Sequence, residues 1–216
     1  MRFSVLFVCL FITACAATEQ NGTRIDQGST PAKNQYAAMV EKIKDESPDA
    51  DFLALRMAYA ETENYKPYLG PKVEETQALL DAIKSGNYDK CIDLADDILQ
   101  YNYTSLNAHF AAFLCNSEQK NSKKAEYHKY VVKGLMDSIG NSGNGQSPET
   151  AFLTISTEEL QAFVQLMGFQ IKNQSLMDKD GKTYEVMGVV NPKTGEELNL
   201  YFDITLQMAK GLKHSE

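Results

Sequence analysis

Ser85-Gly86-Asn87-Tyr88-Asp89-Lys90-Cys91-Ile92 decides how this chain folds. Gly86 lets the backbone reverse without steric strain. Tyr88 is bulky enough to fill the wedge between two helices, and the small Cys91 lets their backbones approach. Upstream, Val73 to Ile83 reads as a helix with Val73, Gln77, Leu80 and Ile83 on one stripe. Downstream, Ala95, Ile98 and Leu99 continue the apolar face of a second helix.

A repeat of this unit can be sought inside the chain. A step of 34 residues carries Cys91 to the equally small Ala125, and Gly86 to Lys120, where the glycine is lost. Ala108, Ala111, Ala112 and Cys115 line one face of the intervening helix. Glu118 to Lys124 is a polar turn, and Lys124 to Met136 a further helix. The layout resembles tetratricopeptide helix pairs, with one good repeat and one degenerate one. Lys120 for glycine, and Tyr103 where such a repeat often has proline, depart from the pattern.

Toward the N-terminus, Tyr36, Met39, Val40 and Ile43 share one face of a short amphipathic stretch. Ser47-Pro48-Asp49 signals the next helix start, followed by Phe52, Leu55, Ala58 and Tyr59 at helical spacing. Lys66-Pro67 and Gly70-Pro71 break the chain. Toward the C-terminus, residues 140–148 (GNSGNGQSP) read as a flexible linker or surface loop. Ser156 or Thr157 caps a helix carrying Leu160, Phe163, Val164 and Met167, which Gly168 stops. From Phe169 the hydrophobic period switches to two. Turns at Asp178–Gly181 and Asn191–Gly195 then separate about three antiparallel strands, and Leu206 to Leu212 closes as a short helix. The fold class expected is α+β: helix pairs over 35–139, then a loop, a helix and a three-stranded meander over 140–216, its apolar face packed on the helices.

The chain begins Met1-Arg2, runs through the apolar FSVLFVCLFI of residues 3–12, and reaches Ile12-Thr13-Ala14-Cys15. A run this short exports a protein but does not span a bilayer. The order aliphatic, polar, small, Cys is that of a lipoprotein signal over 1–14, with Cys15 as the acylated first residue. Ala14-Cys15-Ala16 also satisfies the small-x-small rule of ordinary secretion. Ala16 after the cysteine favours the outer membrane. Residues 15–34 are polar and hold almost nothing apolar, so they read as a flexible tether.

With 21 Lys and Arg against 29 Asp and Glu, the formal net charge is −8. An acidic chain does not attract phosphate backbones, which argues against nucleic acid as a partner. Cys9 leaves with the leader, so Cys91 and Cys115 remain for an oxidising compartment. Each lies twelve residues from a turn centred near Tyr103, so both sit at the same height on antiparallel helices. A disulfide and two buried free thiols both fit this placement.

No catalytic motif emerges, and no cofactor is implied. Asp178-x-Asp180-Gly181 has the wrong spacing for a calcium loop and reads as a hairpin turn. His109, His128 and His214 form no zinc-type pair; His109 is expected to pack, and His128, among charges, to face solvent. Glu61, Glu63, Tyr65 and Tyr68, in the stretch ETENYKPY, are candidates for partner binding, as are Tyr101 and Tyr103 beside the helix turn.

The leader, MAYAETENYKPY, SGNYDKCIDLADDIL, the SPETAF segment at 147–152 and YFDI at 201–204 together resemble an uncharacterised bacterial domain-of-unknown-function family, numbered 4919. The resemblance implies tetratricopeptide-like helices with a C-terminal meander. It implies no reaction and no catalytic residue. The leading functional expectation is a membrane-anchored envelope lipoprotein that binds a protein or peptide. The rivals are a periplasmic enzyme, which needs Glu61, Glu63, Tyr65 and Asp203 to converge on one pocket, and a purely structural envelope protein.

Overall fold

The computed structural model describes residues 31–68 and 73–211. The leader, Cys15, the tether up to residue 30 and His214 lie outside the described residues. Six helices come first: α1 (Pro31–Lys44), α2 (Phe52–Tyr59), α3 (Val73–Lys84), α4 (Tyr88–Tyr101), α5 (Leu106–Glu118) and α6 (Ser122–Gly140). After a short 3-10 turn at Pro148–Thr150 come β1 (Phe152–Leu153), α7 (Thr157–Leu166), β2 (Gln170–Lys179), β3 (Lys182–Val190), β4 (Glu197–Asp203) and α8 (Thr205–Gly211). Among the described residues no helix is long and apolar enough to cross a membrane.

The turn that opened the sequence reading is built as expected. Gly86 takes φ +70°, its N–H bonds to Ile83 O and the Asn87 N–H to Ala82 O. Asn87 then caps α4 by accepting from the Lys90 N–H. One period later Lys120 takes φ +61°, with its N–H on Ser117 O and the Asn121 N–H on Asn116 O. The second repeat has lost the glycine and kept the turn, at the cost of a side chain in the left-handed region.

α5 is the centre of the helical stack. Leu106, Ala108, Ala111, Ala112 and Cys115 are buried on it, and its alanines let α4 and α6 close in from both sides. Cys91 and Cys115 are joined by a disulfide, with Cα atoms 6.4 Å apart. Closing a loop of that separation, 24 residues, contributes about 3 kcal/mol on the chain-entropy account.

Three local readings are corrected. α2 does not start at Ser47-Pro48-Asp49, which lies in the turn after α1; Asp51 caps it by accepting from the Ala54 N–H. α1 starts at Pro31, so residues 31–34, read as tether, are helical; proline at a first helical position loses no bond. The sheet has four strands, in the order β1-β4-β3-β2. The β2–β3–β4 meander is antiparallel, and the two-residue β1 joins parallel to β4, pairing Phe152 with Phe202. β2 is one strand irregular at Ile171/Asn173, and Asp180-Gly181, both at positive φ, make the two-residue hairpin.

The inner face of the sheet carries Met187, Val189, Leu200 and Phe202, all buried. Phe163 of α7 meets Phe152 with ring centroids 5.1 Å apart, and Phe152 meets Phe202 at 5.5 Å. Ser156 starts α7 by accepting from the Glu159 N–H, and Gly168, at φ +87°, ends it. Of the 140–148 segment, Gly140 ends α6 and Pro148 opens the 3-10 turn, and residues 141–147 between them pack as a surface loop, with the Asn144 and Gly145 N–H groups on Thr150 O and Gly145 O receiving the Tyr201 N–H.

One polar contact inside the core has no signal in local sequence. Arg56 of α2 is fully buried, and Glu159 of α7 is 3 % exposed. Arg56 Nε donates to Glu159 Oε1 at 2.6 Å, and an Nη of Arg56 donates to Oε2 at 2.9 Å. Arg56 also reaches Leu153 O and Ser138 Oγ, and Glu159 Oε2 accepts from the Ile155 N–H. The guanidinium thus fastens α2, α6, β1 and α7 at one point.

Candidate functional site

α4 turns Cys91, Ala95 and Ile98 inward and leaves Ile92, Asp96 and Gln100 along an outer edge. α1 and α6 rise on either side of that edge. Between α1, the α2–α3 connection and the end of α4 lies a cavity of about 440 Å³, with Val40, Leu99, Tyr36 and Tyr101 in its walls. A second cavity of about 450 Å³ lies against α6, lined by Ile92, Asp96, Lys124, Tyr127 and His128. Lys44, Leu99, Gln100 and Tyr103 line both, so the two are chambers of one groove along α4.

Lys44 stands between the chambers. Its Nζ is 2.9 Å from Glu41 and 5.9 Å from the centroid of the Tyr103 ring. Tyr103 is held from every side. Its N–H donates to the Tyr36 hydroxyl at 2.8 Å, its hydroxyl bonds to that of Tyr127, and its carbonyl lies 3.0 Å from His109 Nε2. A carbonyl can only accept, so His109 carries its proton on Nε2 and its Nδ1 is left to accept from His128 Nδ1, 3.0 Å away. The pairing requires the accepting imidazole, His109, to be neutral, while His128 donates. Burial, with the neighbouring His128, holds His109 down to about 3, and burial, with Lys124, holds His128 down to about 4. His109 packs as expected. His128 is corrected: it is buried, because α6 lays it against α5 and not toward solvent.

Below Tyr101 sits Glu158 of α7. Ser105 Oγ donates to its Oε1 at 2.7 Å and Asn107 Nδ2 at 3.3 Å. Burial raises its carboxyl to about 7, against those hydrogen bonds and helped by the neighbouring Glu159. The Tyr101 hydroxyl donates to Glu75 of α3 at 2.7 Å.

The residues singled out from sequence divide into three groups. Glu63, Tyr101 and Tyr103 come together in the first chamber. Glu61 and Tyr68 instead hold α8, through Lys210 Nζ at 2.5 Å and Gln207 O at 3.1 Å respectively. Tyr65 is 1 % exposed, its hydroxyl donating to Ile155 O, and it belongs to the core beside Tyr59. As a surface for a partner Tyr65 is therefore corrected: the connection between α2 and α3 folds it inward. Asp203 pairs with Lys182 at 2.9 Å on the sheet. Glu61, Tyr65 and Asp203 line neither chamber, so of the four groups an enzyme was expected to gather only Glu63 stands there. Among the described residues no group of three or more His, Cys, Asp or Glu side chains is placed to hold a metal ion.

Sequence reading missed Lys44, Gln100 and the histidine pair. The equal-height rule that matches Cys91 with Cys115 also matches His109 with His128 about Glu118 and Gln119. That signal was available.

No curated protein and no solved structure matches the chain. A family model does, over residues 32–213, and that stretch covers the helices, the groove and the sheet. The chain belongs to the family described as a domain of unknown function, DUF4919.

Proposed function

We propose that this is a lipid-anchored protein of the bacterial envelope that holds a partner protein or peptide, tethered through Cys15 to the periplasmic face of the outer membrane. The observation that carries the binding half is the groove along α4. It is open, bordered by Tyr36, Tyr101, Tyr103 and Tyr127, and buttressed by a hydrogen-bond network that fixes Tyr103 in place. Tyrosines supply broad contact area with little conformational entropy to lose, which suits recognition better than chemistry. The anchoring half rests on the order of residues 12–15 and on the polar stretch after it. Several acyl chains would hold such a protein firmly, at about 0.8 kcal/mol per buried methylene.

Two measurements test the halves separately. Intact mass of the membrane-fraction protein should show a chain beginning at Cys15 with acyl groups, and Cys15→Ser should remove it from the membrane. A photo-crosslinking side chain at Gln100 should capture a discrete envelope protein in cells, while one at Leu176, on the sheet, should not. Equal capture at both positions would refute the groove as the binding site.

A further inference from the structure

We infer that β2, the open edge of the sheet, pairs antiparallel with β2 of a second copy of this chain about a two-fold axis at Leu176, joining two four-stranded sheets into one continuous sheet. The inference goes beyond the function proposed above and uses none of the groove.

The sheet finishes differently at its two ends. β1 is closed off, because Leu153 gives its N–H to Ser142 Oγ and its carbonyl accepts from Arg56. β2 stands at the other end of the order and runs ten residues. Among the described residues its main chain bonds to β3 alone. Such an edge presents a row of unpaired N–H and C=O groups, and what satisfies such a row is another extended main chain. The turn fixes which groups are free. Asp180 and Gly181, at φ +52° and +75°, make a type I′ turn that ties Lys179 to Lys182. Outward-pointing groups then alternate back along the strand through Asp178, Leu176 and Gln174.

Edges are ordinarily guarded by charged side chains. The charges of β2 are tied back to their own fold. Lys172 reaches Glu197 at 3.5 Å, Lys179 pairs with Glu149, and Asp178 accepts from the Thr183 hydroxyl. Residues 173–177 between them are uncharged. Leu176 lies in one cross-strand row with Glu185 and Phe202, on the face that α7 covers. Phe202 is buried there, whereas Leu176 is 65 % exposed, the most of any large apolar side chain described. Gln174, next on the same face, is exposed as well, so no described helix blocks an incoming strand.

A second copy is the strand this edge matches. The regular run of β2 lies beyond the irregularity at Ile171/Asn173. With the axis at Leu176, that run pairs with itself from Asn173 to Lys179. Leu176 meets Leu176, Gln174 meets Asp178, and Asn173 meets Lys179. The outward groups of the two copies face each other, and like charges are never opposed. One step further, Lys172 stands across from Asp180, opposite in sign. Parallel pairing in register would set Lys172, Asp178 and Lys179 each beside its own copy, which repels. A two-fold normal to the sheet also keeps the α7 face on one side in both copies, so each Leu176 covers the other. Both strands are formed before they meet, so pairing orders little further chain.

The test uses the full chain purified in detergent, with light scattering, absorbance and refractive index read together to give the polypeptide mass alone. Salt is held at about 50 mM, where surface charges are weakly screened. The parent should show twice the mass of one chain and dissociate on dilution. Leu176→Lys and Leu176→Asp each oppose two like charges at the axis, and each should weaken the dimer at least tenfold. Their circular dichroism should match the parent's, since the side chain is exposed in the single copy. Mixed in equal amounts, the two variants should recover a dimer with one of each, because the axis sets lysine against aspartate. Leu80→Lys, the like change at an exposed leucine of α3, should leave the dimer unchanged.

A single-chain mass up to about 100 μM, a dimer indifferent to Leu176→Lys, or no recovery on mixing would overturn the inference. So would a foreign polypeptide crosslinked at Leu176 in cells by a chain that is single when pure, since that gives the edge to another partner. A crosslink of the chain to itself at Leu176 supports the dimer. It is distinct from the foreign protein expected at Gln100, so either reading can fail alone.

Discussion

Replacing Arg56 by methionine should destabilise the protein more than any surface change. The side chain is fully buried and delivers two parallel N–H bonds, at 2.6 and 2.9 Å, to a carboxylate that is itself 3 % exposed. Methionine fills much of the volume but leaves Glu159 with only the Ile155 N–H among its side-chain partners, and leaves Leu153 O without its donor. Removing one member of a buried pair costs about 3–5 kcal/mol, mostly because the other charge stays buried. Urea unfolding reads this directly. With a slope of about 2 kcal/mol per molar for a domain of this size, the midpoint should fall by about 1.5–2.5 M. Arg56→Met with Glu159→Leu removes both charges, and should be more stable than Arg56→Met alone by about 1 kcal/mol or more. A loss below 1 kcal/mol for Arg56→Met, or strictly additive single and double changes, would refute the claim that this pair fastens the two halves of the fold.

The His109–His128 pair makes acid stability the next expectation. Both imidazoles titrate well below the usual 6.5 when folded, so stability is full above pH 6.5 and is lost as pH falls toward about 4 for His128 and about 3 for His109, where the unfolded chain takes protons that the folded one refuses. At pH 5 the loss is about 2 kcal/mol per imidazole, and His128→Gln should remove close to half of it in urea titrations at pH 7 and 5. Glu158 has the opposite sign. It is raised to about 7 against the usual 4.5, so its contribution is intact below pH 4.5 and is lost as pH rises toward 7. Glu158→Gln should therefore leave stability unchanged at pH 4.5 and raise it at pH 8 by about 1–2 kcal/mol, the partial solvent access reducing the full figure. Lys120→Gly relieves a side chain held at φ +61° and should raise the melting midpoint, the net gain being about 0.5–1 kcal/mol after the added freedom of the unfolded chain. An unchanged or lowered midpoint would mean that the turn is not strained.

What could be read without coordinates was whatever depends on neighbours a few residues away. The stripes of α4 and α5, the reversal at Gly86, a cap at Ser156 or Thr157, the hairpin at Asp180-Gly181 and the change of period at Phe169 all follow from steric rules acting within one turn or one strand. The stripe read on α3 is corrected: Leu79 and Ala82 are buried and Leu80 is exposed. On α7 Met167 is exposed while Leu160, Phe163 and Val164 are buried, because which side of a helix is covered depends on what packs against it. The 34-residue step even located the second reversal at Lys120, though not that a lysine would adopt the glycine conformation. The cysteines, and in hindsight the histidines, were legible because an antiparallel hairpin maps equal distances from its turn onto equal heights.

Long-range encounters behaved differently. β1 is two residues whose strand character exists only because Phe202, fifty residues on, lies beside Phe152. Tyr65 and Tyr68 stand three apart in a loop, yet one is in the core and the other on α8. Arg56 and Glu159, 103 residues apart, each look like surface residues until the fold buries both. Local sequence determined which segments are helices, strands and turns, because backbone sterics and hydrophobic period are properties of adjacent residues. Tertiary structure alone decided which polar groups are buried together and where α1, α4 and α6 leave a groove, because those depend on the relative placement of elements that share no local signal.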